Sequence, residues 1–275
     1  MSPFELAQPK SLAEAIALLD GESVRPMGGG TALMLMMKAG VLRPSRLVCL
    51  DKLNLNEIQV NPAGELRVGA MVSLRRLEKS DLVRRGWLVL ARTLRTLSNV
   101  RVRNVATVGG HLAHADPHMD LPPVLSALGA RVTIEGPKGR RTLPVEAIST
   151  GYLETSLQRN ELITQLEVPP LGKRRAAYLK CTTRSADDWP ALGVAVVLDP
   201  LGIVISAATD KPTRLTNAEK ILRNSLDEKS IAQAGEAAVE EVHIEGDLHG
   251  SAAYKKQLLK VYLKRAILEA RKPVD

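Results

Sequence analysis

A chain of 275 residues, 45% hydrophobic and 25% charged, is long enough for roughly two ordinary domains and too apolar to be disordered. Aromatic residues make up only 3%, with Phe4 the single phenylalanine, so the core must be aliphatic. The net charge of +8 admits an acidic partner, but the cations read as dispersed. The densest groups, Lys173-Arg174-Arg175 and Arg101/Arg103, are short and lack aromatic neighbours for stacking on bases, so nucleic acid is not an expected partner. A solvated basic surface or a docking face for an acidic subunit remains.

In chain order, Ser11 opens a helix over 11–20, with Glu14 three residues on as a capping box and Leu12, Ile16 and Leu19 on one face. Gly21 stops it. SVRPM then leads into Gly28-Gly29-Gly30, TALMLMMKAG predicts a second helix closing at Gly40, and 46–50 reads as a buried strand. These elements make a small α/β unit over residues 1–56.

A second unit spans 57–172. Strands are expected at 57–60 and 65–71, a short helix in SLRRLEKS and a longer one over 87–97. DLPPVLSALG reads as a helix whose early prolines suit a first turn. RVTIEG and RRTLPV pair around Pro137-Lys138-Gly139, and ELITQLEVPP is a strand halted by Pro169-Pro170. Over 173–275, AAYLKCT, ALGVAVVLD and IVISAAT predict an antiparallel sheet turning at Asp199-Pro200 and near Gly202. Helices follow at 215–224, 228–240 and 252–271. The fold class is α+β, without repeats or a low-complexity linker.

The first candidate site is PMGGGTALM. Glycine permits positive φ and lets a backbone approach a ligand, and the helix that begins near Thr31 offers free N–H groups and a positive dipole end. Such a loop suits a diphosphate. It matches neither G-x-G-x-x-G nor the Walker form, so a plain tight turn is the competing reading.

The second is NVATVGGHLAHADPHMD, residues 104–120, with three of the five histidines. A metal reading would use His111, His114, His118, Asp116 and Asp120, since spacings of three and four align ligands on a helix. Pro117 interrupts such a helix, Gly109-Gly110 are not expected to begin one, and no Glu lies between His111 and His114 as metalloproteases require. An acid–base reading lacks a Ser or Cys nucleophile in an elbow nearby. A polar loop with capping aspartates is the structural alternative. The phosphate reading uses more of the residues. Thr107, Gly109 and Gly110 would let the chain press on a pyrophosphate, His111 and His114 would donate hydrogen bonds, and Asp120 would accept from ribose hydroxyls.

Taken together, PMGGGTALM and NVRVRNVATVGGHLAHADPHMDLPPVLSALGA resemble the two flavin-binding loops of the FAD-binding medium subunit of the molybdenum hydroxylases, the xanthine dehydrogenase and aerobic carbon monoxide dehydrogenase family. The family pattern Q-V-R-N, T-I-G-G-S/N, A-x-x-D-P-x-x-D is met nearly throughout by residues 101–120. DKLNLNEI, LRVGAMVSLRRLEKS, GYLETSLQRNELITQLEVP and YLKCTTRSADDWPALGVAVVL support it in family order. The resemblance implies a two-lobed FAD-binding fold of the PCMH (vanillyl-alcohol oxidase-like) type, followed by a C-terminal antiparallel sheet-and-helix domain.

It also implies residue roles. Gly28, Gly29, Gly30, Thr31, Ala32 and Leu33 would wrap the FAD pyrophosphate, and Thr107, Gly110, His111, His114 and Asp120 would complete the pyrophosphate and ribose contacts. Ile163 matches a backbone position close to the flavin ring. Lys180, otherwise an exposed strand lysine, matches a lysine near the isoalloxazine. Trp189 falls where relatives place a residue against the ring, with core filling as the alternative. Two departures stand out. His111 replaces the usual Ser or Asn, and Leu97 occupies a place near the adenine that is aromatic in some members. The four-cysteine insertion of benzoyl-CoA reductase-type relatives is missing, so FAD alone is expected, with no metal and no catalytic base on this chain.

The partners implied are a molybdopterin-containing large subunit, which oxidises substrate, and a [2Fe–2S] small subunit, which feeds the flavin one electron at a time. NAD, a quinone or oxygen would be the external acceptor. Cys49 and Cys181 are too few for a cluster and fit a reducing compartment. No secretory signal opens the chain, and its longest apolar runs, such as 192–198, are strand-sized, so a cytoplasmic protein without a membrane span is expected. A self-sufficient FAD oxidoreductase and a non-catalytic nucleic-acid-binding or scaffold protein are the rival readings.

Overall fold

The computed structural model describes residues 2–273. Its first part holds β1 (Glu5–Ala7), α1 (Leu12–Leu18), β2 (Val24–Met27), α2 (Thr31–Lys38) and β3 (Arg46–Cys49). The three strands form a parallel sheet in the order β1-β3-β2, the arrangement that helical crossovers impose. Only half of the predicted capping box forms. Ser11 Oγ accepts from the Glu14 N–H at 3.2 Å, but the Glu14 carboxylate accepts from Lys10 at 2.8 Å, one residue short of the reciprocal bond.

Next come β4 (Ile58–Val60), β5 (Leu66–Gly69), α3 (Leu74–Lys79), α4 (Asp81–Gly86), α5 (Leu88–Thr96), α6 (Val100–Val105), α7 (Val108–His114) and α8 (Leu121–Leu128). They are followed by β6 (Arg131–Gly136), β7 (Gly139–Pro144), a short ladder of β8 (Ser149–Gly151) and β9 (Glu154–Thr155), and β10 (Leu162–Val168). The antiparallel sheet runs β4-β5-β10-β6-β7. Leu66, Val68, Val132, Ile134 and Leu166 of this sheet share one core with Leu90, Leu94, Leu121 and Leu125 of the helices.

The last part has β11 (Arg175–Thr182), β12 (Pro190–Leu198), β13 (Gly202–Ser206), β14 (Thr213–Arg214), α9 (Thr216–Leu222), α10 (Glu228–Glu241) and α11 (Ala252–Arg271). Every residue of β12 is buried, and the alternation of a strand explains how. Leu192, Val194, Val196 and Leu198 point to the core under α9–α11, while Ala195 and Val197 join the central core beside α8. A continuous apolar run is what a strand covered on both faces requires. Lys255 of α11 is also buried, with Nζ donating to Asp247 Oδ2 at 2.7 Å and to the Ala207 carbonyl at 2.9 Å.

Several features depart from the sequence reading. The helices α4 and α6 and the short strands β1, β8, β9 and β14 are not among the predicted elements, and α7 forms although it contains Gly109 and Gly110. Thr107 caps α7 through its side chain, accepting from the Gly110 N–H at 3.2 Å, which recovers part of what two glycines cost. Ala115, left-handed with φ 52°, ends the helix ahead of Pro117. The cations, finally, are concentrated: residues 74–105 hold nine Lys and Arg against two acids, and one of those acids, Glu78, is buried between Arg75 and Arg103.

The C-terminal packing can be tested directly. Leu259 is fully buried in α11 whereas Leu268 on the same helix is 43% exposed. Leu259→Ala should lower unfolding stability by about 2–5 kcal/mol and Leu268→Ala by about 1 kcal/mol or less, as read by urea denaturation.

Candidate functional site

The loop from β2 to α2 and the turn from α6 to α7 meet face to face. A Cβ built on Gly29 would stand 1.9 Å from the Val105 carbonyl oxygen, and one on Gly28 would stand 2.6 Å from Thr107 Oγ1. At Gly29 a side chain would force the two backbones apart, and at Gly28 it would displace the Thr107 hydroxyl. Gly30 sits at φ 70° as the N-cap of α2, without a side chain to cap it. The N–H groups of the first turn of α2 therefore have neither intrahelical nor capping partners.

The junction opens into a cavity of about 480 Å³, within the size range of small-molecule and cofactor sites. All six first-loop residues, Gly28 to Leu33, line it. From the second stretch Thr107, Gly110, His111, His114 and Asp120 line it as well, and Trp189 stands at its wall. Three of the sequence-predicted residues do not. Gly109 faces inward, where a Cβ would lie 2.7 Å from that of Ala70, so it serves close packing of α7 on β5 rather than a ligand. Ile163 is buried in the central core, beside a register shift between β10 and β6. Lys180 stands behind the wall. It is not the exposed lysine its strand position suggests: its side chain is 7% exposed, and Nζ donates to Asp120 Oδ2 (2.9 Å), the Thr96 carbonyl (2.9 Å) and the Asp188 carbonyl (3.1 Å).

His111 carries the clearest sign of a missing partner. The residue is buried, lines the cavity, and its Nε2 has no hydrogen-bond partner. Burial, reinforced by neighbouring His114, lowers its pKa to about 3, so the ring is neutral at physiological pH. Burial lowers His114 too. Asp120 accepts from the Tyr178 hydroxyl at 2.6 Å through Oδ1, besides the Lys180 bond at Oδ2. Burial raises its pKa, with Lys180 and Tyr178 only partly offsetting it. Each carboxylate oxygen keeps a further lone pair for a ligand.

The histidines do not converge as metal ligands. His118, counted with them in the metal reading, instead places Nδ1 2.9 Å from Asp116 Oδ1 and Nε2 3.2 Å from Asp247 Oδ2, and its ring stacks on Trp189. Among the described residues no three His, Cys, Asp or Glu side chains form a metal-holding group.

Sequence reasoning missed the apolar wall. Leu35, Met36, Val41, Val102, Met119 and Leu153 line the cavity, and Leu35 and Val41 are 67% and 74% exposed. The available signal was LMLMM, a run of flexible apolar side chains of the kind that adapts to a bound surface. Asp247 lies 129 residues from His118, so no spacing could have joined them.

A glycine cradle with unpaired N–H groups, an orphaned imidazole nitrogen and an apolar wall are the features an anionic dinucleotide with flat rings needs. Comparison with known proteins gives the same answer. The family described as FAD binding domain in molybdopterin dehydrogenase matches residues 2–171, and the CO dehydrogenase flavoprotein C-terminal domain matches 177–270. The glyceraldehyde dehydrogenase medium chain of Sulfolobus acidocaldarius is 28% identical over 97% of this chain and 98% of its own. The carbon monoxide dehydrogenase medium chain of Hydrogenophaga pseudoflava is 30% identical over 96% of each. A solved carbon monoxide dehydrogenase structure from the same organism superposes with a TM-score of 0.94 at 31% identity, covering 98% of both chains. With both parts of the chain matched and the loops of the cavity inside the first match, this protein belongs to the FAD-binding medium subunits of the molybdenum hydroxylases and is an FAD-dependent oxidoreductase subunit.

Proposed function

We propose that this chain is the electron-transfer subunit of a three-subunit molybdenum hydroxylase. It would take electrons from a [2Fe–2S] small subunit and pass them to an external acceptor, NAD, a quinone or oxygen, while a molybdopterin-containing large subunit oxidises the substrate. The observation that carries this reading is the interlock of the two glycine loops across one cavity lined by His111, a buried residue whose Nε2 has no hydrogen-bond partner. Its likeness along nearly the whole chain to medium chains of multi-subunit dehydrogenases supports the partners. Free, buried Cys49 and Cys181 agree with a cytoplasmic assembly.

Bound FAD supplies chemistry that couples one-electron donors to one- or two-electron acceptors. This chain's residues hold and orient it. We assign the grip to the lobes 1–56 and 57–172, and the wall carrying Lys180 and Trp189 to the domain 173–275. The N–H groups at the start of α2 meet the pyrophosphate, where the helix dipole favours negative charge. The neutral His111 donates to the same group without bringing a charge of its own. Asp120 accepts from the ribose. Lys180 already uses its three donors on Asp120, Thr96 and Asp188, so it acts on the ring through its charge and by fixing the Asp188–Trp189 loop. The apolar wall of Leu35, Met36 and Val41 excludes water from one side.

Purified chain incubated with FAD and desalted should retain about one FAD per chain, identified by absorbance and by chromatography of the released cofactor. Folded protein that retains none overturns the reading. Gly29→Ala should cut retention at least about tenfold because the loops must part. Gly86→Ala, where an added Cβ meets nothing within 4 Å, should leave it unchanged.

His111→Leu should weaken FAD binding by roughly 10- to 100-fold, the worth of a hydrogen bond to a charged group, measured by titration calorimetry. The same variant tests the buried ring. Unfolded His111 takes a proton near 6.5 and folded His111 only near 3, so the wild type loses stability as pH falls through that window. The loss should be smaller in His111→Leu, as read by denaturation midpoints at a series of pH values.

A further inference from the structure

Trp189 lines the cavity and is 46% exposed, at the end of a connection between β11 and β12 whose residues 183–187 are all exposed. The indole is not held by hydrophobic burial. The indole stacks on the imidazole of His118, with ring centroids 5.3 Å apart and planes 15° from parallel. The His118 side chain is itself only 12% exposed.

The setting of His118 is unusual for a histidine. Both ring nitrogens face carboxylate oxygens, Nδ1 that of Asp116 and Nε2 that of Asp247. A neutral imidazole has one N–H, so one of these contacts would set a lone pair against a carboxylate. Both become hydrogen bonds only when the ring carries a proton on each nitrogen. The groups that face the ring come from four segments. Asp116 lies on its own segment, Asp247 and the tilted His249 ring on the connection from α10 to α11, Lys255 on α11, and Trp189 after β11. Lys255 shares Asp247 Oδ2, which weakens that carboxylate's hold on the proton without removing it. Burial opposes the charge on His118, yet the bonds and charges of Asp116 and Asp247 outweigh it and raise the pKa. The stacked cation also attracts the indole face, an interaction a neutral ring lacks.

We propose that His118 is a positioning residue for Trp189: protonated, it holds the indole at the wall of the cavity, and on losing its proton it lets the indole go. The indole's consequence for the cofactor rests on the FAD reading given above. With the indole stacked, that edge of the site is covered; with it released, an acceptor can approach. Oxidation by an external acceptor would then be faster on the alkaline side of the His118 transition. No proton passes to the flavin in this scheme, and His118 touches no reacting atom.

The movement can be read without FAD, because the chain has only two tryptophans and Trp87 is 4% exposed with its Nε1 bonded to the Pro169 carbonyl. The emission of the full-length chain, minus that of Trp189→Phe, isolates Trp189 from about pH 5.5 to about pH 9.5. A stacked imidazolium quenches indole. The Trp189 emission and its access to acrylamide should therefore both rise with pH, about twofold, through a midpoint above the ordinary histidine value of about 6.5. His118→Gln should show the high-pH level throughout, with no transition. Asp116→Asn should keep the transition and move its midpoint down by about one pH unit or more, which a merely structural role for His118 would not do. Denaturation midpoints establish that each variant is folded, and if His118→Gln is not, the Asp116→Asn shift decides. A flat Trp189 signal in the folded wild type, a transition that survives in His118→Gln, or an unmoved midpoint in Asp116→Asn overturns the proposal. Failure of the chain to bind FAD would overturn the cofactor reading and leave this result standing, whereas a flat signal in a chain that binds FAD overturns this inference alone.

Discussion

The closest constraint in the molecule is the contact between Gly29 and the Val105 carbonyl, where a single added methyl would sit 1.9 Å from backbone oxygen. Gly29 belongs to the parallel sheet unit and Val105 to the helical layer of the central antiparallel sheet, so this contact fuses the two lobes. Gly69, whose Cβ would stand 2.3 Å from the Leu55 carbonyl, and Gly109 against Ala70 repeat the device beside it. The cavity exists because these backbones come close enough to bring the uncapped start of α2 and the Thr107 turn to one place. Its polar floor is thus set by side chains that are absent.

Asp120 organises the opposite wall. It stands at the start of α8, and it holds Tyr178 and Lys180 of β11, while Lys180 reaches on to Thr96 at the end of α5 and to Asp188. Desolvation offsets much of the attraction in a buried ion pair, so its visible effect is geometric. It registers the C-terminal sheet against the central helices and sets where the Trp189 loop leaves the fold. The cavity therefore draws on the units built around the three larger sheets. A helix buried on every side, α8, lies between the last two.

Much of the fold was legible because its signals are local. The 11–20 helix follows from periodicity and its cap and the 252–271 helix from periodicity, and LGVAVVL, buried on both faces, is read correctly as a strand because it is short and β-branched. The glycine loops stood out by composition, and their shared family order joined them. What failed has physical causes. Gly109-Gly110 contradict helix propensity, and α7 forms because Thr107 caps it and because only glycine fits against Ala70. Lys180 sits at an ordinary strand position, and its burial depends on acceptors 8, 60 and 84 residues away.

The sequence by itself determined most of the longer elements, the α+β class, the aliphatic character of the core and the two glycine-rich loops, since each of these is written in residue types a few positions apart. Tertiary structure alone decided which groups face the cavity and which are consumed by one another. His111 keeps an unpaired nitrogen while Lys180 spends all its donors, and His118 bridges its motif neighbour Asp116 to the distant Asp247. Hydrogen-bond satisfaction is a property of what surrounds a group, and for Lys180 and for one side of His118 the partners come from distant segments of the chain.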